Sequence, residues 1–228
     1  MQIELFDSPD ALSQAVCDGR VDAAMTNLGA YLTMRDCPAL TAVAVLDVPP
    51  EILEKYRGVL LTRADTGIAS LGDLVAKAAD IRYSEVLPGS TSGALVQSAE
   101  LRTLGISPAR FAETRRSGTQ DAAHQDLLTG RADLAASAEE PCRKLQAAQP
   151  PHAATLRLLW RSAPSPPGPV VCREAAAMPC AAIREALSAD HAADAARTLS
   201  GGWIETRGFE KFRAYDEATY APFEQGAE

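Results

Sequence analysis

Hydrophobic positions change period repeatedly along this chain, and the changes mark strands alternating with helices. Gln2 to Phe6 alternates, which predicts a short strand. Ser8 is placed to cap a helix with Pro9 at its first position, and Gly19 to close it. Val21 to Met25 reads as a second strand. Strand, helix and strand in so short a stretch predict a parallel pair joined by a crossover helix. Further on, the apolar, β-branched run Gly58 to Thr62 predicts a strand. Ser70 to Ala79 predicts a helix with Leu71, Leu74, Val75 and Ala78 on one face, and Ile81 to Val86 another strand.

Pro88 and Gly89 interrupt the pattern, after which Ser90 to Leu104 predicts a helix stopped by Gly105 and the turn Ile106-Ser107-Pro108. Phe111 to Thr114 reads as a strand, Thr119 to Leu128 as a helix ended by Gly130, Ala132 to Ala136 as a strand and Glu139 to Ala148 as a helix. Repeated units of this kind predict an α/β layered fold. From Gln149 the composition shifts. Pro150-Pro151 leads to a strand at Thr155 to Trp160, and Ser162 to Pro169 holds four prolines in eight residues, which reads as a stiff connector rather than a core element. Val170 to Cys172 predicts a strand, Pro179 to Ala189 and His191 to Leu199 helices, and Trp203 to Phe223 is polar with scattered aromatics. The late return of the chain predicts two lobes, one from residues 1–61 and 162–228 and the other from residues 62–161, with two crossings that form a hinge.

Composition narrows the function classes. With 228 residues, 46% of them hydrophobic, the chain is long enough to bury one large core or two smaller ones, which excludes a disordered segment. Its 43 alanines favour helix-rich layers with thin packing contacts. Twenty-two basic against 30 acidic side chains give a formal charge of -8, with no run of Lys and Arg. Nucleic-acid backbones and anionic membrane surfaces are therefore excluded as main partners, and any bound anion must be held locally. No stretch reaches the roughly 18 apolar residues of a membrane span, so no membrane insertion is expected. Met1 to Asp10 is amphipathic rather than basic and then apolar, so it does not read as an export signal. Cys17, Cys37, Cys142, Cys172 and Cys180 form no C-x-x-C pair and no zinc pattern with His124, His152 or His191. They read as free, mostly buried thiols.

The strongest local signal is Gly89-Ser90-Thr91-Ser92-Gly93, a hydroxyl-rich loop after a strand and at the start of a helix. Helix starts present backbone N–H groups and a partial positive charge, so an anion can sit there without Lys or Arg. A capped, flexible turn accounts for the same residues. Without a Lys the loop is no nucleotide P-loop, and Thr91 stands where an esterase elbow needs Ser. His124 lies within a helix pattern and reads as a packing residue. Ser117 and Gln120 fit a capping box, and Arg115 and Arg116 an exposed pair at a strand end. Asp22 and Asp133 occupy echoing segments, Gly19-Arg20-Val21-Asp22-Ala23-Ala24 and Gly130-Arg131-Ala132-Asp133-Leu134-Ala135, and read as structural groups at strand starts.

In order, these segments resemble the phosphonate-binding family of substrate-binding proteins, receptors of ABC importers for phosphonates, phosphite and related oxyanions. Gly19-Arg20-Val21-Asp22-Ala23-Ala24 leading to Ala30-Tyr31-Leu32 is similar to that family's first-lobe signature. Tyr56-Arg57-Gly58-Val59-Leu60-Leu61 and the segment Asp65 to Leu74 resemble its hinge strand and the D-S-G-I-x-S-L-x-D-L that follows. Ser90-Thr91-Ser92-Gly93 matches its S-T-S-G anion loop, and Leu104-Gly105-Ile106-Ser107-Pro108 its L-G-I-x-P. The resemblance implies a two-lobe, type II periplasmic-binding-protein-like α/β fold with the ligand in a cleft between lobes that close around it. It implies ligand contacts from Ser90, Thr91, Ser92, Tyr31 and Tyr56. Gln120 stands where the family often has a His, and the acidic cleft residue expected beyond Asp133 falls on Ala138, beside Glu139 and Glu140.

The expected function is thus a receptor without catalysis, delivering a small oxyanion to an ABC transporter permease, with no cofactor and no metal. A cytosolic metabolite-binding enzyme on the same bilobal fold and an effector-sensing domain are the alternatives. Location follows the same fork: periplasmic by the resemblance, cytoplasmic if Met1 is the natural start. The resemblance implies an export signal, a strand and a helix ahead of the strand that Gln2 to Phe6 is expected to match; either Met1 is not the natural start, or a partner chain or a rearranged sheet is expected to stand in for that central strand.

Overall fold

The computed structural model describes residues 4–148, 155–174, 179–189, 192–200 and 209–224. Among these the chain runs α1 (Pro9–Cys17), β1 (Ala23–Met25), α2 (Leu28–Met34), β2 (Leu40–Leu46), α3 (Pro50–Leu53), β3 (Gly58–Arg63), α4 (Leu71–Lys77) and β4 (Arg82–Glu85). There follow α5 (Val96–Thr103), β5 (Glu113–Arg116), α6 (Gln120–Leu128), β6 (Leu134–Ala138), α7 (Glu139–Ala148) and β7 (Leu156–Arg161). The last elements are β8 (Val170–Arg173), α8 (Cys180–Ser188), α9 (Ala193–Ser200), β9 (Phe212–Ala214) and α10 (Glu217–Glu224). The chain forms two units, Met1–Leu53 with Pro166–Glu228, and Glu54–Ser165. Residues 58–61, expected with the first lobe, belong to β3, which pairs along its length with β6 and β7 of the second unit.

In the first unit the sheet order is β1-β8-β2-β9 and every pairing is antiparallel. The parallel pair expected from the opening residues is absent among the described residues. Glu4 to Phe6 are irregular, Leu5 is 92% exposed, and β1 takes its partner from β8, far along the chain. Local alternation selects an extended conformation, whereas pairing is decided by whichever strand shares the buried face. α1 matches the reading closely. Ser8 Oγ accepts from Ala11 N at 3.1 Å, and Gly19 takes a φ of 74° just past the helix. Arg173 of β8 reaches the helix end and donates to the carbonyls of Val16 and Cys17, where a cation complements the helix dipole.

Two disulfides, Cys17–Cys37 and Cys172–Cys180, correct the reading of free thiols. Their Cα atoms lie 5.2 and 5.6 Å apart, a proximity that spacing in the chain does not reveal. Cys142 remains a buried thiol, and burial, aided by Glu139, pushes its pKa up to about 11. Alkylation of the unreduced, denatured protein should therefore add one label, and alkylation after reduction five, as read by mass spectrometry. More than one label before reduction would refute the pairing.

The Ser162 to Pro169 segment is irregular, as expected, but it belongs to the core. Ser162 and Ser165 are buried, Pro167 O accepts from Tyr220 Oη at 2.8 Å, and Pro169 O accepts from Thr26 Oγ1 at 2.7 Å. Prolines remove donors, so a segment with few N–H groups can be buried if its carbonyls are met from outside.

The second unit holds a five-stranded sheet of order β5-β4-β6-β3-β7. β4 is parallel to β5 and β6, while β3 runs antiparallel to β6 and β7. Side-chain alternation along β3 and β6 fills both faces. Leu60, Leu134 and Ala136 join Tyr83, Leu101, Ile106 and Phe111 on one side, and Val59, Leu61 and Ala135 join Ala123, Leu127 and Cys142 on the other. At the start of the parallel strands Asp133 accepts from Arg82 N at 3.0 Å and from its guanidinium at 2.8 and 2.6 Å. Burial alone would raise the Asp133 pKa, but the Arg82 hydrogen bonds and charge hold it below the usual carboxylate value. Asp133 is thus the structural group expected. Asp22 is exposed, and its backbone carbonyl accepts from Arg173 N.

Candidate functional site

Three parallel strands, β4, β5 and β6, end at one edge of the second unit's sheet, and a helix start follows each of them. β3 begins at that edge, with Gly58 opposite Ala138. Ligands of open α/β sheets bind outside the carboxyl ends of such strands, because successive helix N-termini face the same space.

After β4 the chain turns through Leu87 to Ser90, with Ser90 N donating to Leu87 O at 3.1 Å and Gly89 at a φ of 76°. Residues Thr91–Leu95 then form a single π turn that runs into α5. Its first helical bonds go from Ala94 N (3.1 Å) and Leu95 N (2.9 Å) to Ser90 O, so the N–H groups of Ser92 and Gly93 stand ahead of the first intrahelical acceptor. Val86 N donates to Gly93 O at 3.0 Å and ties the turn back to the strand. Gly93 is required here by close approach, since a Cβ would lie 2.5 Å from Val86 Cγ2 and 2.8 Å from Ser90 Oγ.

The hydroxyls of this loop differ from those at other helix starts. Ser8, Ser70 and Thr119 each accept a hydrogen bond from a backbone N–H three residues on, and Asn27 does the same with its side-chain oxygen. Ser90 makes no such cap, and among the described residues neither its hydroxyl nor that of Ser92 bonds to another group of the protein. Ser90, Thr91 and Ser92 are all half-buried. Of the two readings open for this loop, the capped turn does not form.

After β5, Ser117 donates twice to Glu85 O, from N and from Oγ, both at 2.8 Å, and Gly118 N donates to Val86 O at 2.7 Å. These bonds fasten the second loop to the first. The capping box expected from Ser117 and Gln120 does not form, because Thr119 caps α6 through Ala122 N at 3.1 Å. Gln120 is half-buried at the first position of α6, and its Oε1 accepts from Ala138 N at 2.9 Å. His124, one turn on, is 2% exposed and meets Ser137 Oγ at 2.7 Å. Because Ser137 Oγ donates to Ala138 O, it accepts from His124 Nε2–H, and burial lowers the imidazole pKa toward the neutral form.

At the end of β6, Glu139 N donates to Arg57 O and the Glu139 carboxylate pairs with Arg161 at 2.8 Å. The two acidic residues beside Ala138 are thus engaged by cations, since Glu140 faces Arg143 and Lys144, each at 3.9 Å. Glu85 is 8% exposed, and burial raises its pKa against the opposing pull of Arg116 at 3.6 Å. Arg116 and Arg115 are exposed, as expected for the strand end, although Arg115 also lies 3.7 Å from the buried Asp126.

The structure brings Ser90, Thr91, Ser92, Gln120 and Tyr56 to the same sheet edge, Tyr56 through the start of β3 and its carbonyl, which accepts from Ser165 N at 2.7 Å. Tyr31 belongs to the other unit. It is 7% exposed, bonds Tyr215 Oη at 2.7 Å and lies edge-on to Tyr215 and Tyr220. Among the described residues no group of three His, Cys, Asp or Glu side chains could hold a metal ion, and no helix is long and apolar enough to cross a membrane.

One residue that the sequence reading passed over is Gln97 on α5, whose Nε2 donates to Ser92 O at 2.8 Å. Its signal was present: Gln97 shares a helix face with the apolar Leu101 and Leu104, which places a carboxamide on the buried side.

Comparison with known proteins bears on this geometry. A family described as "ABC transporter, phosphonate, periplasmic substrate-binding protein" matches residues 1–220. The phosphonates-binding periplasmic protein of Escherichia coli (strain K12) is 31% identical over 120 residues, which span 52% of this chain and 35% of that relative. Among solved structures, a binding protein component of the ABC phosphonate transporter of Pseudomonas aeruginosa superposes with a TM-score of 0.69 at 21% identity, covering 98% of this chain and 73% of that one. PhnD1 of Prochlorococcus marinus (MIT 9301), solved with methylphosphonate, gives 0.70 at 15% identity, covering 98% and 83%. The fold is thus the two-lobe α/β fold of type II periplasmic binding proteins.

Proposed function

Because this chain belongs to the phosphonate-type periplasmic substrate-binding proteins of ABC transporters, we propose that it captures a small oxyanion and delivers it to an ABC importer. Phosphonate, phosphate and phosphite are the candidates. The observation that carries this reading is the Ser90–Ser92 loop: a half-buried helix start whose two serine hydroxyls have no partner among the described residues of the protein. Anion oxygens would replace water on these hydroxyls and on the N–H groups of Ser92 and Gly93, and the helix start supplies the positive potential that a net charge of -8 does not. Thr91, Gln120 and Tyr56 at the same edge complete the proposed ligand set from this unit, and Tyr31 is the proposed contact from the other. Binding without turnover fits the use made of His124, whose ring is committed to Ser137.

The two disulfides favour a protein that folds outside the cytoplasm, since such bonds persist in oxidising compartments. That supports the periplasmic location over the cytosolic enzyme. Calorimetric titration with methylphosphonate, phosphate, phosphite and an alkanesulfonate tests the function. Saturable binding of one phosphorus oxyanion, with no change in the recovered ligand, is the expected result. The reading fails if none of the four binds.

A further inference from the structure

Gln97 is fully buried, at 0% exposure, and it sits one helical turn beyond the loop. Its Nε2 lies 2.8 Å from Ser92 O, 3.1 Å from Val59 O and 3.0 Å from Ser137 O. These carbonyls come from three separate segments: the loop itself, β3 and β6. A carboxamide has two hydrogens, so three acceptors share them, and Oε1 accepts no hydrogen bond among the described residues. Leaving a buried acceptor unmet is unfavourable, and a Leu or Met would fill the same volume without it. The backbone is also shaped around this side chain. A Cβ on Gly58 would fall 2.7 Å from Gln97 Nε2 and 2.3 Å from Val96 Cγ2.

We propose that Gln97 is a positioning residue for oxyanion capture. By fixing the Ser92 carbonyl to two strands of the sheet, it holds the Ser90 and Ser92 hydroxyls and the N–H groups of the π turn in place before the ligand arrives. Binding then does not have to order the loop, which is where preorganised sites gain affinity. The inference rests on the reading of this loop as the oxyanion site.

Gln97→Met keeps length and volume and removes the donor. With the oxyanion that binds the wild type most tightly, Kd should rise about 10-fold or more. Ser92→Ala should cost less in the Gln97→Met background than in the wild type, because a loop already released has less to lose. Hydrogen exchange supplies a readout that needs no variant. Ligand stabilises the whole fold by linkage, so in the wild type the amides of Val86, Ala94 and Leu95 should gain no more protection on binding than those of Leu60 and Leu61 in the β3 core. A wild-type Kd in Gln97→Met, measured well below its melting temperature, would overturn the proposal even if that temperature has fallen. So would ligand-induced protection of those three amides that exceeds the gain at Leu60 and Leu61 by about 10-fold or more in the wild type, since the loop would then be ordered by its ligand. Absence of binding to the wild type by every oxyanion tested is a different result: it removes the reading of the site, and this inference with it.

Discussion

Replacing Ser90 and Ser92 together by alanine should weaken oxyanion binding by about 100-fold or more while leaving the melting temperature of the free protein nearly unchanged. A hydrogen bond to a charged partner contributes about 1.5–3 kcal/mol, which is roughly a factor of 10 to 150 for one hydroxyl. The two act on one ligand, so their effects overlap and the product is a ceiling. Stability is spared because neither hydroxyl serves the fold: Ser90 does not cap its helix, and both side chains are half-buried. Ser70 gives the contrast. Its Oγ accepts from Asp73 N at 3.1 Å and donates to Asp73 Oδ2 at 2.9 Å, so Ser70→Ala should cost about 1 kcal/mol of stability and leave Kd alone. Calorimetry and thermal melts on the same samples separate the two outcomes. A double variant that binds within about threefold of the wild type would mean the loop is not the anion's seat.

The parts of this fold that could be read from the sequence are those with a cap, a polar face or a short apolar run bounded by turn residues. In the second unit α6 has a cap and α7 a polar face, while β3 and β6 are short, largely apolar runs buried on both faces, and the readings at β3, β4, α6, β6 and α7 land within a few residues of the observed bounds. The elements passed over include α2, β2 and the short α3. In α2 six of the seven residues are buried, from Leu28 to Met34, so no polar face betrays the helical period. Pairing was less legible than element type. β1 was read beside a crossover helix, yet it pairs antiparallel with β8, and β3 likewise pairs antiparallel with β6 and β7, strands that come much later in the chain. Cysteine spacing was silent for the same reason: Cys17 and Cys37 meet because α1 and α2 pack together, Ser13 Oγ donating to Ala30 O.

At the site, the hydroxyl loop was legible because a glycine-flanked run of Ser and Thr between a strand and a helix pattern marks a turn into a helix start. What the sequence could not show is which hydroxyls are used internally. Ser117 looked like a cap and instead clamps Glu85 O, while Thr119 does the capping. Only the positions of the acceptors decide between these roles. Gln97 shows the converse, since a polar residue on an apolar helix face announces burial but not its partners.

The largest stability effect is expected far from the loop, at Gly168 in the proline-rich connector. Gly168→Ala would place a Cβ 2.2 Å from Thr26 O, 2.4 Å from Asn27 C and 2.5 Å from Asn27 Cα. All three are backbone atoms, so no rotamer change relieves the clash. Neither side can retreat. Thr26 is tied to Pro169 O through both N (3.2 Å) and Oγ1 (2.7 Å), and Asn27 caps α2 through Ala30 N at 2.7 Å. On the other side Tyr220 Oη holds Pro167 O at 2.8 Å. Relief therefore requires breaking at least one of these bonds, on top of an overpacking cost of about 1–3 kcal/mol, so a loss of about 3 kcal/mol is expected. In a chain of this size that lowers the melting temperature by roughly 6–12 °C. Gly72→Ala is the matched control, because its Cβ would meet only Ser70 Oγ, at an ordinary 3.6 Å, within α4. There alanine's helix propensity should leave the melting temperature level or slightly raised. If Gly168→Ala melts with the wild type, the connector is not the packed core segment that its buried serines and bonded carbonyls describe.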